Sequence, residues 1–320
     1  MPNNTWKPSA NIAALKQRAE VLAQIRQFFK DRNVFEVETP LLCHATVTDP
    51  YIQSMQIQQG FLPAVPAGFL QTSPEYAMKR LLAAGSGSIF QLCKAFRHDE
   101  VGWQHNPEFT LLEWYRVGFD HHALMQEIDA LLQYILKTKP AEKLSYQQVF
   151  LHYLNIDPLD CELDDLIQLA KRQSIDISGE FDRDDWLNLL FTHCIEHQLG
   201  HEAPLFMYDY PASQAALAKI NPNDNRVAER FEVYINGIEL ANGFHELCDA
   251  KEQRARFERD LTMRQEHHIT EVPIDENFLQ ALAHGLPDCA GVALGVDRLL
   301  MLALQKSSIN EVISFTFDRA

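Results

Sequence analysis

No C-x-x-C pair occurs among the six cysteines, which stand alone at Cys43, Cys93, Cys161, Cys194, Cys248 and Cys289. That spacing excludes the common zinc-finger and thioredoxin devices, and a chain of 320 residues can bury a core without disulfides. Reduced thiols in a cytoplasmic protein are therefore expected. Long apolar runs are missing too. The richest stretch, near Leu299–Leu304, falls far below the ~20 residues that cross a bilayer, and no signal-peptide run follows Met1. Basic residues are scarce, 28 Lys and Arg against 44 Asp and Glu, for a formal net charge of -16. An acidic surface of that size repels phosphate backbones, which argues against nucleic acid as the main partner but leaves room for a local basic patch. Neither G-x-G-x-x-G nor G-x-x-x-x-G-K-[ST] is present, so any nucleotide is held by a different device. With no repeat and no low-complexity linker, residues 1–320 read as a single domain.

What is present is a run of helix and hairpin signals. Ile12, Leu15, Ala19, Leu22 and Phe29 fall on one helical stripe with Ile25 beside it. Val34–Thr39 alternates like a strand and stops at Pro40. Ser73-Pro74-Glu75 opens a second helix, with Ser as its cap. Ile89–Phe96 and Phe109–Val117 read as a long hairpin. Residues 121–200 look mainly helical, broken at Pro140, Pro158 and Gly179. Strands return at Leu205–Tyr208, Arg230–Ile235, Ile238–Leu240 and Gly291–Leu294, the last running into a helix over Val296–Gln305. Hairpin strands with helices around them predict an α+β fold with a mostly antiparallel sheet.

Three constellations carry chemistry. The first is Phe96-Arg97-His98-Asp99-Glu100, His105-Asn106-Pro107-Glu108-Phe109 and Glu113-Trp114-Tyr115. Arg97 offers a fork of donors to a phosphate or carboxylate, Phe109 a ring for a planar base, and Glu113 and Tyr115 share a strand face. The bland alternative is a surface hairpin with a salt-bridged Arg and a core Phe. In the second, Asn236-Gly237 joins two strands carrying Glu232 and Glu239, which pairing brings close across the ladder. A shared Mg²⁺ would relieve their repulsion, unless both simply face water. The third, Gly291–Arg298, has glycines that admit close backbone approach and an Arg at a helix start, where phosphate is favoured. It is also what a packed strand-turn-helix would look like.

In this order the three resemble the signature motifs of class II aminoacyl-tRNA synthetases: motif 1 in the helix ending at Glu38-Thr39-Pro40, motif 2 in Phe96–Tyr115, motif 3 in Gly291–Arg298. The wording is closest to the lysyl branch, at Thr72-Ser73-Pro74-Glu75, His105-Asn106-Pro107-Glu108-Phe109 and Gly243-Phe244-His245-Glu246-Leu247. The resemblance covers nearly the whole chain and is weakest over about 120–200. It implies the class II antiparallel sheet flanked by helices and ATP with Mg²⁺, while the apolar stripe of the motif 1 helix, broad for a monomer's surface, predicts a homodimer through it. By the same resemblance Arg97 holds the α-phosphate and the amino-acid carboxylate, and Arg298 the γ-phosphate. Glu232 and Glu239 carry Mg²⁺, Phe109 stacks on adenine, and His105 and Asn106 line the nucleotide. His98 and Asp99 stand where Asn and Glu are common, and with Glu100 they complete the ATP set. Leu240 and Gly295 lend backbone to the ATP wall. Ser73, Pro74, Glu75, Glu113, Tyr115, Asn242, Phe244, Glu246 and Ala293 surround a lysine pocket.

Two departures follow. Motif 1 begins almost at residue 11, so the anticodon-binding domain of full lysyl synthetases is expected to be missing, and tRNA is not the expected acceptor. Ala293 replaces the usual Gly of motif 3. Both departures resemble the stand-alone subgroup that joins (R)-β-lysine to a lysine ε-amine of elongation factor P. The open alternatives are a truncated synthetase charging tRNA with α-lysine and a non-catalytic lysine- or ATP-binding regulator. A further one is a zinc site on His193-Cys194-Ile195-Glu196-His197, which matches an H-x-x-E-H pattern.

Overall fold

A computed structural model describes residues 6–57, 68–98, 101–175, 177, 179 and 181–320. The chain folds as two compact units, 1–119 with 247–320, and 120–246. The first unit opens with α1 (Ile12–Lys30), β1 (Phe35–Glu36), β2 (Leu42–Cys43), β3 (Gln56–Ile57), β4 (Gly68–Leu70), α2 (Glu75–Ala83), β5 (Ile89–Phe96) and β6 (Glu108–Val117). The second holds α3 (His121–Leu136), β7 (Glu142–Ser145), α4 (Tyr146–Leu154), α5 (Leu163–Arg172), α6 (Arg183–Leu190), β8 (Leu205–Pro211), β9 (Val227–Ile235) and β10 (Ile238–His245). The chain then returns to the first unit with α7 (Ala250–Glu266), α8 (Glu276–Gly285), β11 (Cys289–Gly295) and α9 (Val296–Ala303).

In the first unit β1 pairs parallel with β5, and β5, β6 and β11 follow antiparallel. A small sheet of β2, β4 and β3 stands beside it in the chain. Register gives each face of the large sheet its character. Phe90, Trp114 and Val292 form one cross-strand row and Leu92, Leu112 and Leu294 the next. Phe29 of α1 lies on this apolar face, stacked on Phe90 at 4.5 Å and edge-on to Trp114 at 5.2 Å. Burying side chains of this size contributes about 1.5–3 kcal/mol each. The opposite face carries Ile89, Gln91, Cys93, Ala95, Phe109, Leu111, Glu113, Tyr115, Gly291, Ala293 and Gly295, which mixes polar and small residues with a few apolar ones.

The second unit is an antiparallel run of β10, β9 and β8, with β7 added parallel to β8. Tyr146, Val149, Phe150, Leu166, Trp186, Leu190, Leu205 and Tyr234 belong to one core, which packs α4, α5 and α6 on the strands.

Several expectations need correction. The buried side of α1 is Ala14, Val21, Ile25, Phe28 and Phe29, whereas Ile12 is 60% exposed. Arg18 sits on that inward side, so choosing the face by apolarity alone rotated it. Val34–Thr39 shrinks to the two-residue β1, continued only by Val37 N–H donating to Phe90 O at 2.9 Å. Helix α2 starts at Glu75, one residue after the expected turn. Ser73 still caps it locally, its Oγ accepting from Glu75 N at 3.1 Å. The short β7 and the helices α7 and α8 had no expectation. Helix α7 reads as a charged run without a stripe because one of its inward residues is Arg264. That guanidinium donates to the carbonyls of Thr48, Thr270, Asp49 and Ile52. The cysteines are all free thiols, and among the described residues no helix is long and apolar enough to cross a membrane.

Candidate functional site

The polar face of the first unit gathers most of motif 2. Gln91, Glu113 and Ala293 form one cross-strand row, and Ile89, Tyr115 and Gly291 the row beside it. Glu113 is 1% exposed. Its carboxylate accepts from Ser73 Oγ and from Tyr115 OH, both at 2.7 Å. Burial first, then the neighbouring Glu75 charge, push its pKa up to about 7. Gln91 is buried next to it, and its Oε1 has no hydrogen-bond partner. A buried, unpaired acceptor beside a buried carboxylate suits an ammonium group, which brings three donors. Glu75 is less available than expected. The buried Lys79, one helical turn on, donates Nζ to Glu75 Oε1 at 2.6 Å. Gln91 and Lys79 are the residues of this wall that the motifs did not flag. The i,i+4 spacing of Glu75 and Lys79 was the available signal.

Arg97 continues the line of β5, its N–H donating to Pro107 O at 3.0 Å. Its guanidinium lies 5.2 Å from the Phe109 ring centroid, so the cation and the flat ring are side by side. His98 is exposed, and its N–H donates to Gln53 O. Asp99 and Glu100 lie outside the described residues. In the loop, reciprocal bonds between Gly102 and His105 make a tight turn that presents His105. Arg298 Nη2 donates to His105 Nε2 at 2.5 Å, which joins motif 2 to motif 3. Asn106 is occupied by backbone, donating to Glu108 O at 2.7 Å and accepting from Phe317 N at 3.0 Å. It shapes the loop.

Gly295 and Arg298 stand at the start of α9, with Gly295 leaving space over the Arg298 stem. Asp297, between them in sequence, turns the other way. It is 2% exposed and accepts from Arg18 Nη1 at 2.6 Å and from Thr110 N at 2.7 Å. Arg18 also donates to Thr110 Oγ1 at 2.8 Å. One buried carboxylate thus ties motif 1, motif 2 and motif 3. Neither Arg18 nor Asp297 drew attention as anything but helix residues.

In the second unit the Asn236-Gly237 turn is as expected, with φ of 54° and 70° at its two residues, which is the conformation Asn-Gly favours. The cross-ladder neighbours are different. Glu232 faces Asn242 and Glu239 faces Tyr234, with a bulge between Glu239 and Ala241 that leaves Leu240 out of the ladder. The extra residue resets the alternation. Arg230, Glu232 and Tyr234 therefore share a face with Glu239, Asn242 and Phe244. Glu232 is neutralised from within: Arg230 Nη2 donates to Oε1 at 2.5 Å, and the hydroxyls of Tyr210 and Tyr234 donate to Oε2. A metal on Glu232 must displace Arg230, while Glu239 lies on the same face. Asn242 Oδ1 is buried without a hydrogen-bond partner. Glu246, 1% exposed, follows the end of β10.

His193 and Glu196–His197 do not form the zinc-peptidase geometry. The segment Phe191–Ile195 widens into a π turn and Glu196–Gln198 tightens into a 3₁₀ turn, so the regular i,i+4 face is lost. His193 Nδ1 sits 3.0 Å from Leu189 O instead.

Comparison with known proteins agrees with the motifs. The family model for tRNA synthetases class II (D, K and N) matches residues 6–319. An elongation factor P–(R)-beta-lysine ligase of Vibrio atlanticus is 56% identical over 323 residues, covering 99% of this chain and 100% of the relative. The ligase of Vibrio cholerae is 56% identical over 325 residues, covering 100% of both. That of Salmonella typhi is 55% identical over 323 residues, covering 99% of this chain and 98% of the relative. The chain belongs to the class II tRNA synthetase family of the D, K and N type.

Proposed function

We propose that the protein activates (R)-β-lysine with ATP and transfers it to a lysine ε-amine of elongation factor P. The buried Glu113 carboxylate, with the unpaired Gln91 acceptor in its own row, carries the amine half of this reading. The relatives' printed names, at 54–56% identity over nearly full length, carry the choice of acceptor. In the first step a carboxylate oxygen of the amino acid attacks the α-phosphorus, and pyrophosphate leaves. The nucleophile is already ionised, so the protein's task is to position it and neutralise charge. Arg97 would hold the α-phosphate and the carboxylate, Arg298 the γ-phosphate, and Phe109 the adenine. His98, His105, Asp99 and Glu100 would complete the nucleotide surroundings, with backbone from Leu240 and Gly295. Mg²⁺ would neutralise the phosphates from Glu239, with Glu232 reaching it once Arg230 moves aside. In the second step the acceptor nitrogen forms an amide with the acyl carbon, AMP leaves, and the amine proton goes to solvent.

Glu113 ties substrate binding to pH. Its pKa is raised above the usual carboxylate range to about 7, so below that pH the free protein holds the proton. An ammonium pairs with the ionised form, so binding expels the proton. The KM for lysine is expected to fall from about pH 6 to about pH 8 and then level off. Pyrophosphate exchange measured across that range reads it. A flat KM would remove Glu113 from the amine site, and Glu113→Gln is expected to abolish the dependence.

Ala293 stands opposite Glu113, so its methyl group shapes the same pocket. Ala293→Gly is expected to shift preference toward α-lysine by about 10-fold or more, the scale of one methyl group in a pocket. The main test combines ATP, Mg²⁺, either lysine isomer, and elongation factor P or tRNA, with mass spectrometry of each acceptor. Lysylated tRNA with unmodified elongation factor P would overturn the proposal. A homodimer through the motif 1 region, with Phe35, Leu41 and Leu42 exposed, completes the reading, together with a cytoplasmic location. Sedimentation showing only monomer at micromolar concentration would remove the dimer.

A further inference from the structure

The start of α3 and the end of β10 bring together side chains that the lysine and nucleotide chemistry does not use. His121 is 3% exposed, and neither ring nitrogen has a hydrogen-bond partner. Each unpaired buried nitrogen forgoes a bond to water, which native interiors rarely leave unmade. Asp209 Oδ1 lies 3.8 Å from His121 Nε2, too far to bond, and is itself buried without a hydrogen-bond partner. His245 Nδ1 is 2.5 Å from Glu229 Oε2, and Lys219 Nζ is 3.1 Å from His245 Nε2. One ligand atom from each of His121, Glu229 and His245 lies within 4.8 Å of the others. Among the described residues this is the one such group. Glu229 alternates away from Arg230 and Glu232, and His245 away from Phe244, so the cluster occupies the other face of β9 and β10.

We propose that His121, Glu229 and His245 bind a divalent transition-metal ion of the zinc class, which fastens the two ends of the second unit together. Two imidazoles and a carboxylate are the donor set that zinc accepts, with a fourth position left for water. His121 is buried with both ring nitrogens unbonded, so a nitrogen lone pair is available to a metal. Zinc bonds of about 2.0–2.1 Å place tetrahedral ligands about 3.3 Å apart, so side-chain rotation must close the wider gaps in the group. One His121 nitrogen takes the metal, and the other is left toward Asp209, the carboxylate arrangement that commonly orients a ligating imidazole. Lys219 faces Nε2 of His245, so the metal takes Nδ1. The Nδ1 proton leaves to solvent, Nε2 gains one, and the Lys219 ammonium turns outward. His121 is the second residue of the unit and His245 the last but one. A clip there closes nearly the whole unit into a loop, which limits the freedom of its unfolded chain.

The test uses the full chain, stripped with a chelator and dialysed against stoichiometric Zn²⁺. Metal content is read by mass spectrometry, stability by thermal scan, and ligand type by the absorption of the Co²⁺ form. Expected are stoichiometric zinc, a melting temperature raised relative to the stripped protein, and a Co²⁺ spectrum without the thiolate charge-transfer band. His121→Asn and Glu229→Gln are expected to lose the metal and melt alike with or without zinc. Lys219→Met should bind at least as tightly as wild type. Substoichiometric zinc in the wild type, undiminished zinc in the Glu229→Gln variant, or a thiolate band from the scattered cysteines would overturn the proposal. The wild-type spectrum decides even if His121→Asn fails to fold.

Discussion

Replacing Arg298 by alanine is expected to lower lysine-dependent ATP–pyrophosphate exchange by about 10²–10³-fold, the usual loss when one preorganised donor is removed from a developing charge. The side chain stands over the first turn of α9, where backbone N–H groups and the helix dipole already favour an anion. Its protein contacts include His105, at 2.5 Å. Arg298 is only partly buried, so its truncation opens no core cavity and the melting temperature should stay close to that of the wild type. The pairing of lost activity with kept stability is the diagnostic. Exchange near the wild-type rate would remove Arg298 from the phosphate site, whatever the fold of the variant.

The neighbouring residue should behave in the opposite way. Asp297→Ala is expected to destabilise the protein by about 3–5 kcal/mol, because it removes one partner of a buried ion pair and leaves the other uncompensated. The orphans are specific. Arg18 loses the carboxylate at 2.6 Å, and the Thr110 N–H loses its acceptor at 2.7 Å in the middle of a buried strand. Asp297→Asn keeps the shape and one acceptor and should cost less. Thermal or urea unfolding of the two variants measures the difference. If Asp297→Ala unfolds like wild type, the three motifs are not joined through this carboxylate.

Legibility in the sequence followed how local each signal was. Strand β5 was found to the residue and β6 to within one, because alternation over eight or more positions is a local property. The Asn236-Gly237 turn was equally plain. The inward side of α1 was missed because a charged residue faces inward there. Arg18 reads as surface until its partner, 279 positions away in sequence, is known. Helix α7 was missed for the same reason, since Arg264 is buried against carbonyls rather than against apolar side chains. The phosphate and amine residues were legible only as motifs, not by composition. Of their internal counter-charges, Lys79 on Glu75 was signalled only by its i,i+4 spacing, and Arg230 on Glu232 went unread. Each offsets one of the negative charges that the acids alone suggest.

The bulge at Leu240 makes the hairpin sensitive to parity. Deleting Leu240 alone would leave a regular ladder in which Asn242 still faces Glu232 and Phe244 still faces Arg230, whereas deleting Gly243 would send Phe244 through to the reverse side and set His245 beside Arg230. Beyond the bulge, loss or gain of a pair of residues would leave every side chain on the side it has now. A library of single-codon deletions should therefore keep the fold when Leu240 is lost and show a sharp hole from Asn242 to Phe244.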